Sequence, residues 1–101
     1  MSEVKVPTFD TFMNPLLQAL TQLGGSGTIE EIATKTADIV GLSDEQLEIL
    51  HNPERGSTTE FEYRLAWTRT NLKKYGLLEN SSRGVWALTH KGRKVEKVDP
   101  I

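Results

Sequence analysis

The chain has no cysteine in its 101 residues. It therefore forms no disulfide and offers no thiolate to a metal, which suits the cytosol, the location expected here. Only two histidines occur, His51 and His90, both in polar loop contexts. Each reads as a solvated or satisfied surface side chain rather than a general base or ligand. No apolar run approaches the roughly 18 residues of a membrane span, and no signal-peptide pattern opens the chain. Internal repeats and low-complexity tracts are missing. There is no Gly-x-Ser-x-Gly element, no metal-spaced histidine pair and no paired carboxylate cluster. Glu3-Val4-Lys5 matches the Glu-x-Lys element of metal-dependent nucleases, but no acidic partner precedes it on a strand, so it reads as chance. These absences argue against an enzyme and against any cofactor.

What is present is an ordinary soluble composition, 37% hydrophobic and 26% charged, at a length that favours one domain with a small core. The net charge of −2 hides a segregation. Residues 1–50 hold Glu3, Asp10, Glu30, Glu31, Asp38, Asp44, Glu45 and Glu48 against Lys5 and Lys35, a net of −6. Residues 64–97 hold Arg64, Arg69, Lys73, Lys74, Arg83, Lys91, Arg93, Lys94 and Lys97 against Glu79 and Glu96, a net of +7. Such asymmetry suggests one face for a polyanion and another that avoids it. The plainer reading is that bases gather in the last turns of helices, where the helix dipole favours them.

Residues 1–7 read as a flexible polar lead, residues 8–98 as the folded domain and residues 99–101 as a tail. A first helix covers residues 9–23, with Phe12, Leu16, Leu20 and Leu23 on one stripe. Asn14-Pro15 reads as a cap–proline pair, so the helix proper is expected to start near Pro15. The Gly24-Gly25-Ser26-Gly27 stretch lacks the phosphate-loop pattern and reads as a helix–helix linker. Thr28 with Glu31, then Ser43 with Gln46, are two capping boxes that start a second helix and a short one through Leu50. Ile29, Ile32, Ala33, Thr36, Ala37 and Val40 are assigned to the core, and Gly41 to the left-handed stop. Residues 52–57 read as a loop.

A third long helix is expected over residues 58–75. Its core arc is taken as Arg64, Trp67, Thr68, Asn71, Leu72 and Tyr75, because that arc holds Trp67, Leu72 and Tyr75; the outer arc then carries Glu62, Ala66, Arg69, Thr70 and Lys73. Phe61 and Leu65 flank the core arc and fit it less well. Past Gly76, residues 77–79 and 85–88 read as a hairpin joined by a polar turn, Asn80-Ser81-Ser82-Arg83-Gly84. Trp67 and Trp86 are expected to be buried where the helix meets the hairpin. Thr89 opens a last turn containing Gly92, and residues 91–98 form a short basic helix or tail.

A basic helix running into a hairpin with arginine at its tip is how a winged helix meets nucleic acid. Side chains on the outer arc reach base edges in the major groove, and hairpin residues contact phosphate. On this reading Arg69 and Thr70 face bases, Lys73 lies one turn beyond Arg69, and Arg83 beside Ser81 and Ser82 reaches phosphate or the minor groove.

The chain also resembles the N-terminal winged-helix domain of Mrr-type restriction endonucleases. The matching stretches are residues 6–20, 28–46, 64–79 and 82–92. The pattern Trp67, Leu72, Gly76-Leu77, Arg83-Gly84, Trp86, Leu88-Thr89 and Gly92 is shared. The resemblance implies an α+β, mostly α, winged helix-turn-helix with a C-terminal two-stranded wing. It implies binding of double-stranded DNA without catalysis, through Arg64, Arg69, Thr70, Lys73, Lys74, Ser82 and Arg83. In that family a separate nuclease domain cuts the DNA, so such a domain or another protein is the expected partner, and no membrane is involved. No residue singled out in the sequence speaks for recognition of a methylated base. The competing expectation is a protein-interaction module that uses the winged-helix surface.

Overall fold

A computed structural model describes residues 5–94. A 3₁₀ turn, Phe9–Phe12, leads into α1 (Met13–Gln22). There follow β1 (Ser26–Thr28), α2 (Ile29–Val40), α3 (Asp44–Glu48) and α4 (Glu60–Lys74). A hairpin of β2 (Leu78–Ser82) and β3 (Val85–Leu88) and a short α5 (His90–Lys94) complete it. The fold is α+β and mostly α, and its element order is consistent with a winged helix.

Local chemistry explains the helix starts. Thr28 Oγ1 accepts from Glu31 N at 3.1 Å while Thr28 N donates to Glu31 Oε1 at 2.9 Å. Ser43 and Gln46 repeat the exchange. A third box, Thr59 with Glu62, starts α4 and sets its N-cap one residue after the start expected from sequence. Each box satisfies two of the orphan amides of a helix N-terminus. Pro15 lies within the first turn of α1, which begins at Met13, where an amide has no intrahelical acceptor to lose. Helix α3 stops at Glu48, short of the expected Leu50. Ile49 is already extended and Leu50 forms an isolated bridge with Thr59.

The second half of the glycine linker forms an edge strand. β1 pairs antiparallel with β3, Gly27 opposite Trp86, giving a three-stranded sheet in the order β1-β3-β2. The hairpin is also longer than expected. β2 runs on to Ser82 through an irregularity between Asn80 and Ser82, and the turn shrinks to Arg83-Gly84, with Gly84 at φ +74°. Asn80 Nδ2 donates to the carbonyls of Ser82 and Val85, at 3.1 and 2.7 Å, and holds the irregular stretch in place.

The core joins Phe12, Met13, Leu16, Leu17 and Leu20 to Ile32, Ala37, Phe61, Leu65, Leu72, Leu77, Leu78 and Leu88. Val6, assigned to the lead, is buried with them. Gln46 Nε2 donates to the Lys5 carbonyl at 2.9 Å, and Arg64 donates to the carbonyls of Val6 and Pro7. Residues 5–7 are thus packed. Residues 1–4, with most of the Glu-x-Lys element, and the expected tail of residues 99–101 lie outside the described residues. Ile29, expected in the core, is 42% exposed at the first position of α2, ahead of the stripe formed by Ile32, Thr36 and Ala37.

The largest correction concerns α4. Its buried residues are Phe61, Leu65, Thr68, Arg69 and Leu72. At 100° per residue this arc centres between Leu65 and Leu72, about 80° away from the arc expected from sequence. Trp67 is 48% exposed and Tyr75 is also exposed.

Gly92 marks the tightest approach among the described glycines. A Cβ there would lie 2.1 Å from the Leu77 carbonyl oxygen and 3.0 Å from its carbon. That oxygen accepts from Thr89 N at 3.0 Å, and Thr89 Oγ1 caps Gly92 N at 3.0 Å. Alanine is the better helix former by about 1 kcal/mol, yet a backbone carbonyl cannot swing aside as a side chain can. Gly92→Ala is therefore expected to destabilise by about 1–3 kcal/mol. Thermal melting would show it; an unchanged or raised midpoint would mean that α5 does not dock on Leu77.

Candidate nucleic-acid interface

The surface of α4 is set by the arc left out of the core. Its middle is Tyr63, Trp67, Thr70 and Lys74, with Lys73 to one side and Asn71 to the other. Tyr63 meets Trp67 edge-on at 6.4 Å, and His51, from the loop before α4, stacks on Tyr63 at 3.6 Å. The helix thus has an aromatic N-terminal half and a cationic C-terminal half. Lys73 and Lys74 lie in the last turn, where the helix dipole also favours them.

The sequence-predicted residues fall into three groups. Thr70, Lys73 and Lys74 are exposed on α4, and Ser82 and Arg83 are exposed at the end of β2 and in the following turn. The Thr70 hydroxyl donates to the Ala66 carbonyl at 3.0 Å and keeps its acceptor lone pairs for a ligand. Arg64 is occupied elsewhere. Besides its two carbonyl contacts, its Nε donates to Glu60 Oε1 at 2.9 Å, so it ties residues 6–7 to α4. Arg69 is not on the outer arc. It is 8% exposed and its guanidinium carbon lies 5.6 Å from the centroid of the Trp86 ring. Burial pushes its pKa down from the ordinary arginine value, but an arginine starts so high that it stays charged. Lys73 Nζ lies 5.8 Å from the same centroid. Trp86 is half-buried against the core, closer to expectation than Trp67. Sequence reasoning placed His51 on the surface but missed Tyr63 and the stack between them, which only the correct phase of α4 would have suggested.

Glu60 anchors the loop to the helix. His51 Nδ1 lies 2.6 Å from its Oε2. Burial alone would raise the Glu60 pKa, but the hydrogen bonds and charges of His51 and Arg64 outweigh it, and the carboxyl sits below its ordinary 4.5. A carboxylate depressed in the folded state adds stability above its unfolded value, lost as pH falls through the folded one. Parent protein is thus expected to lose more stability than Glu60→Gln when urea midpoints at pH 7 and pH 3 are compared (the range ~1–5 over which such carboxylates titrate). Equal losses would mean the loop contact does not persist in solution.

Among the described residues no cluster of three metal-ligating side chains occurs, and no helix is long and apolar enough to cross a membrane.

The chain that builds this cationic helix end beside a short hairpin matches the family model for the Mrr N-terminal domain over residues 9–97, and it belongs to that family. It is 31% identical over 88 residues to the type IV methyl-directed restriction enzyme EcoKMrr of Escherichia coli (strain K12). The match covers 86% of this chain but 28% of that enzyme. No solved structure matches the chain.

Proposed function

We propose that this domain is a winged helix that binds double-stranded DNA and does not cut it, serving a restriction system as its DNA-targeting module. One observation carries the reading. Lys73 and Lys74 at the end of α4 and Arg83 at the hairpin turn are exposed and hold no acid in an ion pair among the described residues. In the complex, α4 enters the major groove, Thr70 and Asn71 face base edges, and Ser82 and Arg83 meet phosphate. Tyr63 and Trp67 present apolar ring edges on the same surface. Such groups contact the C5 methyl of thymine, and a methyl added to cytosine points into the groove in the same way. The relative's methyl-directed description agrees with that contact. A nuclease domain, in the same polypeptide or a partner, supplies cleavage.

Fluorescence anisotropy with a random duplex, plain and methylated, tests this across a salt series. Micromolar or weaker binding that falls steeply with salt is expected of a lone module. Parent protein that ignores duplex at low salt overturns the reading.

A second reading, docking of a partner protein, has one observation in its favour. A groove of 940 Å³ between α2 and α4 has Leu23, Ala33, Ala37, Leu42 and Phe61 among its lining, with Glu30, Glu31, Asp38 and Glu62 beside them. Its occupant would be a basic segment with an apolar face, and that contact would resist salt better than DNA binding does.

A further inference from the structure

Arg69 and Lys73 share one feature that DNA binding through the outer arc of α4 leaves unused. Both reach the ring of Trp86, at 5.6 and 5.8 Å from its centroid. They come from the same helix, four residues apart, so they approach the wing together. Trp86 sits mid-strand opposite Asn80 on one side and Gly27 on the other, and its neighbour two residues on, Leu88, is in the core. The ring therefore lies at the junction of α4 and the hairpin, within reach of both cations. Arg69 is 8% exposed at that junction, and Lys73, one turn further along α4, is exposed.

The charge balance around the Trp86 ring is incomplete. Arg69 Nε is buried and has no hydrogen-bond partner. Among the described residues the ion pairs are those of Glu60 with His51 and Arg64, so no carboxylate answers either cation here. An aromatic face offsets part of a cation's lost hydration. It supplies no acceptor for a guanidinium N–H, and a second cation beside the first adds repulsion. Buried charges in folded proteins are paired or bound. A guanidinium presents a fork of donors that matches the oxygens of a phosphate, and a lysine adds a point charge.

We propose that the junction of α4 and the wing, where Arg69 and Lys73 meet the Trp86 ring, is a seat for one phosphodiester group of the DNA backbone. The proposal rests on the DNA reading for its source of phosphate, and gives Arg69 a phosphate in place of the base edge expected from sequence. The seat clamps the duplex at the junction of helix and wing, which fixes the register in which Thr70 and Asn71 meet the bases.

The test uses the Trp67→Phe protein, in which Trp86 is the sole tryptophan. Sodium phosphate, titrated against sodium chloride at constant ionic strength, is expected to change Trp86 emission saturably. The change should disappear in Arg69→Met and weaken in Lys73→Ala, an exposed position at which folding is not at stake. With duplex DNA, Arg69→Met should lower affinity about eightfold near 0.1 M salt and reduce the log–log salt slope by about 0.9, the effect of one phosphate contact. Should Arg69→Met fail to fold, as circular dichroism would reveal, Lys73→Ala carries the same two readouts. Duplex binding that is intact and equal in parent and both variants overturns the seat and leaves the DNA reading standing. A phosphate response that vanishes in the variants, without any duplex binding, overturns the phosphodiester as occupant and the DNA reading with it.

Discussion

Phe12→Ala is expected to cost about 3–5 kcal/mol, a large part of the roughly 5–15 kcal/mol that holds a domain of this size together. Phe12 is fully buried and meets Phe61 edge-on, with ring centroids 5.2 Å apart and planes at 76°. It sits where the 3₁₀ turn, α1 and α4 converge, so no single side chain can fill the space left behind. For a domain this small the loss amounts to a fall in melting temperature of at least about 12 °C. Urea denaturation would give the energy directly, with a lowered midpoint and an unchanged slope. Trp67→Ala is the natural comparison. Removing that larger side chain, 48% exposed, should cost much less. If the two variants melt alike, the helical phase described for α4 is wrong.

That phase is also where sequence and structure part. The capping boxes at Thr28 and Ser43 are legible because an N-cap is a local exchange between residues three apart. Gly41 is legible because a left-handed stop needs little beyond its own backbone. The stripe through Phe12, Leu16 and Leu20 is legible because α1 buries only apolar residues along it. Helix α4 breaks that rule on both faces. It buries Thr68, whose hydroxyl donates to the Phe9 carbonyl at 2.8 Å, and Arg69, while exposing Tyr63, Trp67 and Tyr75. Hydrophobicity therefore points to the wrong side, as it does on helices that keep an apolar surface for a ligand. Strand β1 is hidden for a different reason. Ser26, Gly27 and Thr28 have little strand preference of their own, and their partners lie some sixty residues away on β3. The family, by contrast, enters through a resemblance carried by Trp67, Leu72, Gly76, Arg83, Trp86 and Gly92 among others, and the family match over residues 9–97 agrees with it. Of the residues assigned to DNA, Lys73, Lys74, Ser82 and Arg83 are exposed near the helix end and wing, as their charge and position suggest. Arg64 and Arg69 stand out by charge alone. Charge does not reveal that one arginine ties down the residues before the 3₁₀ turn and the other lies against Trp86.

Replacing Lys73, Lys74 and Arg83 together by alanine is expected to weaken duplex binding about 10²–10³-fold near 0.1 M salt. Every phosphate neutralised by a side chain adds about 0.9 to the log–log salt slope, so removing one such cation weakens binding close to eightfold at that salt concentration. The three side chains are exposed, and none of the three holds an acid in an ion pair among the described residues. Folding should therefore tolerate the change, each substitution shifting stability by no more than about 0.5 kcal/mol. The effect must also be sequence-independent, because phosphate contacts position a duplex without reading it. Thr70→Ala supplies the contrast. Its hydroxyl is exposed on the arc that would enter the groove, so any loss should be confined to a preferred site and leave the salt slope as it was. Anisotropy titrations of parent, triple variant and Thr70→Ala at several salt concentrations separate the two kinds of interaction. A triple variant that binds like the parent, with the same slope, would remove the C-terminal half of α4 and the wing from the interface. The groove between α2 and α4 would then be the surface to follow.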